Sequence, residues 1–185
     1  MQMLRDHLSM ADFTLVLPRV LDFEGLYSDD KADKGGETVL GCSRNNFPDL
    51  PLWAIVDDFK RDEGFPKNMK GNTEILELVG NWYKLEFWDK IKGDLINNQD
   101  VAYNIFDFAV NGGVRRGART AQQVVNATED GVIGEQSIRL INSFKSVEFI
   151  EQYKLRRRAF YRQLANNNSS QMVFLKGWLN RVEAC

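Results

Sequence analysis

Apolar positions recur at intervals of three and four along most of this chain, and that spacing predicts a protein built mainly of helices. The first run covers residues 10–23, where Phe13, Val16, Leu17, Val20 and Leu21 share a face. Ser9 stands in position to cap it, Pro18 predicts a kink or a second start, and Gly25 is placed to end it. A polar loop crowded with Asp, Gly and Lys follows, to about Ser43. Within it Thr38-Val39-Leu40 is the β-like run and predicts a small hairpin. A second helix is expected over residues 49–64, with Pro51 in the first turn, where proline is tolerated. Residues 73–91 carry Ile75, Val79, Trp82, Tyr83 and Trp88 and are apolar over much of a helix circumference, which predicts a central, buried helix. Further helices are expected over 99–110, closed by Asn111-Gly112-Gly113, and over 116–125. Asp130-Gly131-Val132-Ile133-Gly134 reads as a turn, followed by helices over 135–144, 146–166 and 169–182. The fold class expected is mainly α, with a small β-hairpin in the polar loop.

Composition narrows this picture. A chain of 185 residues with 43% apolar residues can bury a real core as one domain, or as one domain with a small appended subdomain. No internal repeat and no clear linker interrupts it. No apolar run reaches the ~18 residues that a membrane span needs, so no stable membrane insertion is expected. Asp6 and Asp12 break the N-terminal segment, which does not read as a signal peptide; cytoplasmic synthesis is expected. Cys42 and Cys185 read as two ordinary thiols. His7 is the single histidine, which leaves almost no material for a histidine-activated nucleophile or a histidine metal site. No metal and no cofactor are expected.

Charge is unevenly spread. Residues 1–113 hold 12 Lys/Arg and 20 Asp/Glu, a net of −8, whereas residues 114–185 hold 12 and 6, a net of +6. A basic half can adhere to anionic polymers. Arg156-Arg157-Arg158 with Arg162 reads as a solvated helix face that could also guide the protein to an anionic envelope. With a pI near 5.5 for the whole chain, nucleic acid is not an expected partner.

The candidate chemistry lies where the first helix meets the polar loop. A glycosidase needs a carboxylic acid to protonate the leaving oxygen, and usually a second carboxylate or a positioned water to complete the displacement. The acid is helped by a partly apolar setting and by the negative end of a helix dipole. Glu24 has that location, after Phe23 and the apolar helix face, where the chain turns. Asp33 and Thr38 on a returning loop could hold a water opposite such an acid, and so could Asp29, Asp30 and Glu37; spacing does not choose among them. Gly35-Gly36 would permit a tight turn or a close approach of sugar. Tyr27 could hold Glu24 or bind sugar. The Asn111 amide could bond an N-acetyl group or cap its helix. Trp53, Trp82, Trp88 and Trp178 could stack on sugar rings, but aromatics at helical spacing more often build core.

Glu24-Gly25-Leu26-Tyr27 followed by Asp33-Lys34-Gly35-Gly36-Glu37-Thr38-Val39-Leu40-Gly41 resembles the motif of glycoside hydrolase family 108, N-acetylmuramidases of phages and bacteria. The resemblance continues through residues 82–88, Phe106-Asp107-Phe108-Ala109-Val110-Asn111-Gly112-Gly113 and Asp130-Gly131-Val132-Ile133-Gly134. It closes at residues 174–182, which resemble a peptidoglycan-binding segment. It implies a lysozyme-like helical fold, with a catalytic region over 1–98 and a peptidoglycan-binding helical region over 99–185 packed into the same domain. It implies hydrolysis of the β-1,4 bond between N-acetylmuramic acid and N-acetylglucosamine, with Glu24 as catalytic acid. Glu24, Asp33 and Thr38 are similar to the Glu, Asp and Thr set of phage-type lysozymes, with an Asp-to-Thr interval one residue shorter. Leu26 replaces a usual glycine, and Ser137 replaces a usual threonine, keeping a hydroxyl for capping the next helix. The implied partners are peptidoglycan glycan strands, with a holin or secretion apparatus for release, after which a monomer would act on the cell wall in the periplasm. A lytic transglycosylase would use the same glutamate without a second carboxylate. A non-catalytic peptidoglycan-binding or secretion-activator protein would have no need of an acid at Glu24.

Overall fold

The computed structural model describes residues 10–30 and 35–185. Among these residues the chain forms eight α-helices and one three-stranded antiparallel sheet, so the fold is mainly α, as the periodicity predicts. It divides into two compact units, one of residues 17–85 and one joining the segment that ends at Val16 to residues 86–185. No helix among the described residues is long and apolar enough to cross a membrane.

Helix α1 (Phe13–Leu21) is capped by Asp12, whose carboxylate accepts the Thr14 backbone N–H at 2.8 Å and its hydroxyl at 2.7 Å. Ser9, the expected cap, lies outside the described residues. Pro18 is accommodated inside the helix. Gly25 is not the stop: α1 ends at Leu21, and the N–H groups of Phe23 and Glu24 bond back three residues, to Val20 and Leu21. That tightened turn swings Glu24 out of the helix.

Within residues 17–85 the sheet is β1 (Tyr27–Ser28), β2 (Thr38–Val39) and β3 (Cys42–Ser43) in that order, with Tyr27 opposite Val39 and Val39 opposite Cys42. The expected hairpin is therefore present and gains a third strand from Tyr27. Helix α2 (Leu52–Phe59) starts at Pro51 but stops short of the expected Gly64. Residues 60–63 are Lys-Arg-Asp-Glu and offer nothing apolar to bury, so the chain leaves in successive turns. Helix α3 (Thr73–Tyr83) is capped by the Asn72 side chain, which accepts the Ile75 N–H at 2.9 Å. It runs on as a single π-turn over Lys84–Trp88. Trp53, Val56, Ile75, Val79, Trp82 and Tyr83 make the core of this unit.

The other unit is organised on α4 (Gln99–Gly112), in which every residue from Val101 to Ala109 is buried. A helix buried on all sides must be surrounded, and α5 (Val114–Val124) and α7 (Ser146–Asn167) pack on it. A side chain at Gly117 would stand 3.0 Å from the Ala109 nitrogen, so the absence of one lets α5 approach α4 at backbone distance. Helices α6 (Glu135–Ser143) and α8 (Met172–Ala184) complete it, with α8 on α7.

Two expectations are corrected in this unit. Arg157 is not on a solvated face: it is fully buried and pairs with the equally buried Asp107, which also takes Arg181 at 2.8 Å. The α7 residues that face inward are Phe149, Tyr153, Arg157, Tyr161 and Ala165, a strict step of four, and Arg157 falls on it. Ser137 does not cap α6. It is buried at the third position of the helix, and its hydroxyl accepts from the Gln122 amide at 3.3 Å. That amide also donates to Asp130 (2.7 Å) and to the Val132 carbonyl (3.0 Å), while its oxygen takes the Gly131 N–H at 2.9 Å. Gln122 thus holds the Asp130–Gly134 turn from inside.

Candidate active site

Glu24 follows the turn that ends α1 and is half-buried. The feature that shapes its surroundings is the two-residue turn between β2 and β3. Leu40 and Gly41 both have positive φ, +46° and +84°, the combination a tight hairpin demands. The Tyr83 hydroxyl, carried by α3, donates to the Leu40 carbonyl at 3.0 Å and holds this turn in place. A Cβ on Gly41 would stand 2.3 Å from that hydroxyl oxygen and 3.4 Å from Glu24 Oε2. The Glu24 carboxylate, the turn and Tyr83 therefore meet at Gly41, where no side chain intervenes.

Thr38 sits on β2 of the same hairpin, partly exposed, and its hydroxyl donates to the Gly36 carbonyl at 3.1 Å. Its oxygen lone pairs are then the part that can receive a proton donor such as water. The Ser43 hydroxyl donates to the Gly35 carbonyl at 2.6 Å, tying the Gly35-Gly36 turn to β3. Asp33 lies outside the described residues.

Behind the hairpin stands a charged brace. Glu37, weighed above as a water holder, is 9% exposed and engaged by Arg44 Nε at 2.8 Å and Lys60 Nζ at 2.6 Å. Arg44 also makes a bidentate pair with Asp57 at 2.7 and 3.1 Å, and its guanidinium lies 4.7 Å from the Trp53 ring centroid. The Asp57 carboxyl is held below its ordinary range, chiefly by this hydrogen bond from Arg44. Tyr27 completes the brace. Burial and its hydrogen bond to Glu37 push its phenol above the usual value, and its ring packs edge-on against Phe65 at 4.7 Å. Tyr27 thus positions β1 against β2.

Glu24, Tyr27 and Thr38 all lie in the unit of residues 17–85. Asn111 lies in the other unit, inside α4 one residue before its end, and its side-chain oxygen accepts the Tyr161 hydroxyl of α7. The helix cap is Gly113, so Asn111 is an inter-helix tie. Trp53, Trp82 and Trp88 are buried, and Trp178 stacks on Tyr161 at 5.1 Å, so the tryptophans are packing residues. Tyr83, Arg44 and Lys60 are supports that the sequence reading did not single out. The apolar face of the 73–91 helix marked Tyr83 as core, and only the tertiary fold shows that its hydroxyl reaches the Leu40 carbonyl.

Comparison with known proteins identifies the family. The family described as "Glycosyl hydrolase 108" matches residues 17–113, and the one described as "Predicted Peptidoglycan domain" matches residues 115–183. No curated protein matches. The solved structure of Brucella abortus SagA is similar to this chain with a TM-score of 0.66 and 25% identity, over 92% of this chain and 89% of that one. The chain belongs to the glycosyl hydrolase 108 family and is a glycoside hydrolase that acts on peptidoglycan.

Proposed function

We propose that this enzyme is an N-acetylmuramidase, a lysozyme that hydrolyses the β-1,4 bond between N-acetylmuramic acid and N-acetylglucosamine, with Glu24 as general acid. The observation that carries this reading is the half-buried Glu24 carboxylate, set against the side-chain-free Gly41 turn in the unit that also holds Thr38. The Tyr83 hydroxyl fills the space that a side chain at position 41 would need and holds the turn beside that acid.

Glu24 gives its proton to the glycosidic oxygen as the bond to the anomeric carbon breaks and positive charge develops on the ring. A water then adds to that carbon. The Thr38 oxygen accepts one of its hydrogens and Asp33 takes the proton it releases and passes it to solvent, from which the ionised Glu24 regains its own, so no net proton is gained or lost. We assign this chemistry to the region 1–98 and attachment to the wall to the region 99–185, which contains the match to the peptidoglycan domain.

The test is digestion of purified peptidoglycan by wild type, Glu24→Gln and Asp33→Asn, with products identified by mass. Wild type releases fragments ending in reducing N-acetylmuramic acid, and Glu24→Gln loses about 10²-fold or more in rate, as removal of a general acid predicts. Asp33→Asn also falls, with KM little changed. Anhydro products, together with a fully active Asp33→Asn, would make the enzyme a lytic transglycosylase. Wall binding without any cleavage by wild type would overturn the enzymatic reading of this site.

A further inference from the structure

We propose that a groove between α5 and α7 binds the carboxylates of the peptide stems that peptidoglycan strands carry. The proposal rests on the peptidoglycan reading and names the part of that polymer the C-terminal region grips. The groove encloses about 520 Å³, within the range of pockets that hold small ligands. Arg115, Arg116 and Arg119 line it from α5, and Arg156 and Phe160 from α7; no carboxylate lines it. Each set lies at helical spacing, so the guanidiniums converge on one cleft.

These arginines are poised rather than spent. Among the described residues none of the four makes an ion pair within 4 Å, although Arg115 stands close enough to Asp130 to help lower its carboxyl, whereas Arg157 and Arg158 pair with Asp107 and Glu183. The Arg116 guanidinium rests 4.1 Å from the Phe160 ring centroid, and Arg156 donates to the Gln152 side-chain oxygen at 2.9 Å. The N-terminus of α5, which has no side-chain cap, opens on the same groove at Gly112 and Gly113. With Arg115 partly answered by Asp130, the like charges of Arg116, Arg119 and Arg156 lining one cleft disfavour the empty state and attract an anion.

The chemistry of the polymer selects the anion. The amino sugars of the glycan are uncharged where stems are attached, because the muramic carboxyl is then an amide. The stems carry the free carboxylates. Planar guanidinium forks match carboxylates two bonds at a time, and the Phe160 ring offers an apolar wall to alanine methyl groups. Every arginine of the groove also falls within the segment 115–183 that matches the peptidoglycan domain.

The experiment is calorimetric titration of the full chain with free tetrapeptide stem, with the same stem carboxyl-amidated, and with peptide-free glycan. The free stem is expected to bind. Amidation is expected to weaken binding at least about tenfold, the scale of one lost charge-assisted hydrogen bond. The exposed double variant Arg116→Gln/Arg119→Gln is expected to weaken it by at least as much, with an unchanged circular dichroism spectrum. Equal binding of the amidated stem overturns the proposal using wild-type protein alone, whatever the variant does to the fold. So does tighter binding of an oligonucleotide or of anionic lipid vesicles that the double variant abolishes. Cleavage of peptide-free glycan is assayed separately. Cleavage without stem binding removes this proposal and keeps the muramidase, and stem binding without cleavage does the reverse.

Discussion

Replacing Asp107 with alanine removes the carboxylate that joins α4 to both α7 and α8. Asp107 and Arg157 are fully buried, and the Arg181 side chain is 9% exposed. Arg157 is enclosed by the rings of Phe108 and Tyr161, with centroids at 4.9 and 5.8 Å, so it cannot turn to water. The variant therefore removes the carboxylate that both guanidiniums share and leaves the fully buried Arg157 facing the Tyr161 side chain and the Cys185 thiol, 3.5 Å away, in place of its counter-charge. Removing one partner of a buried pair costs about 3–5 kcal/mol, and a carboxylate shared by two guanidiniums points to the upper end. At about 2–4 °C per kcal/mol for a domain of this size, the melting temperature falls by about 10–20 °C from a 5 kcal/mol loss. Thermal and urea unfolding followed by circular dichroism measure it. Asp107→Asn, which keeps two polar atoms in place, falls between the alanine variant and wild type. A loss under about 1 kcal/mol in Asp107→Ala would refute the reasoning, because it would mean that water already solvates the cluster.

Gly41→Ala places a methyl 2.3 Å from the Tyr83 hydroxyl in a backbone conformation, φ +84°, that alanine resists. It should lose about 1–3 kcal/mol of stability and, because the methyl also faces Glu24, a larger share of its peptidoglycan-cleaving rate; wild-type turnover in a properly folded variant would contradict the site assignment. Burial raises the titration points of the Cys42 thiol and the Tyr153 phenol, so the fold favours their protonated forms. That stability is fully present below their ordinary values of about 8.5 and 10 and is lost as pH rises beyond them. Urea midpoints should decline above about pH 9, and a flat profile to pH 11 would count against the burial of these groups. Cys42, fully buried, should resist a thiol reagent in the native protein at pH 8 and react on unfolding.

The helices were legible because each buries one stripe, and the stripe repeats in sequence. Helices α4 to α8 start and stop within three residues of the positions that apolar spacing predicts. The misses have local causes. Helix α2 ends early because residues 60–63 are all charged, and periodicity had no apolar residue there to mark a boundary. Asp12 caps α1, three residues after Ser9, which lies outside the described residues. Glu24 stood out because a carboxylate after an apolar face is unusual and its motif is specific. Its supports did not stand out. Tyr83 counted as one more core aromatic, and Glu37 as a free acid in a loop of acids. Each acquires its role from a partner far along the chain, Leu40 in one case and Lys60 in the other.

Arg156-Arg157-Arg158 shows how much a local reading can hide. Three consecutive arginines look like one solvated patch, yet successive helix residues are turned by about 100°, so the run samples three directions. The inward step of four from Phe149 through Tyr153 to Tyr161 passes through position 157, which was visible in the sequence as a charged residue in an apolar phase. Such a residue must find a buried counter-charge, and Asp107, itself within the apolar run of α4, is the matching anomaly. Arg158, one step round, meets Glu183 at 2.7 Å. Arg156, one step the other way, enters the groove with Arg116 and Arg119. One arginine locks the helices together, one decorates the surface, and one remains available to an anion. The basic balance of residues 114–185 therefore overstates the charge open to a ligand, and Arg116, Arg119 and Arg156, which make no ion pair among the described residues, carry most of it.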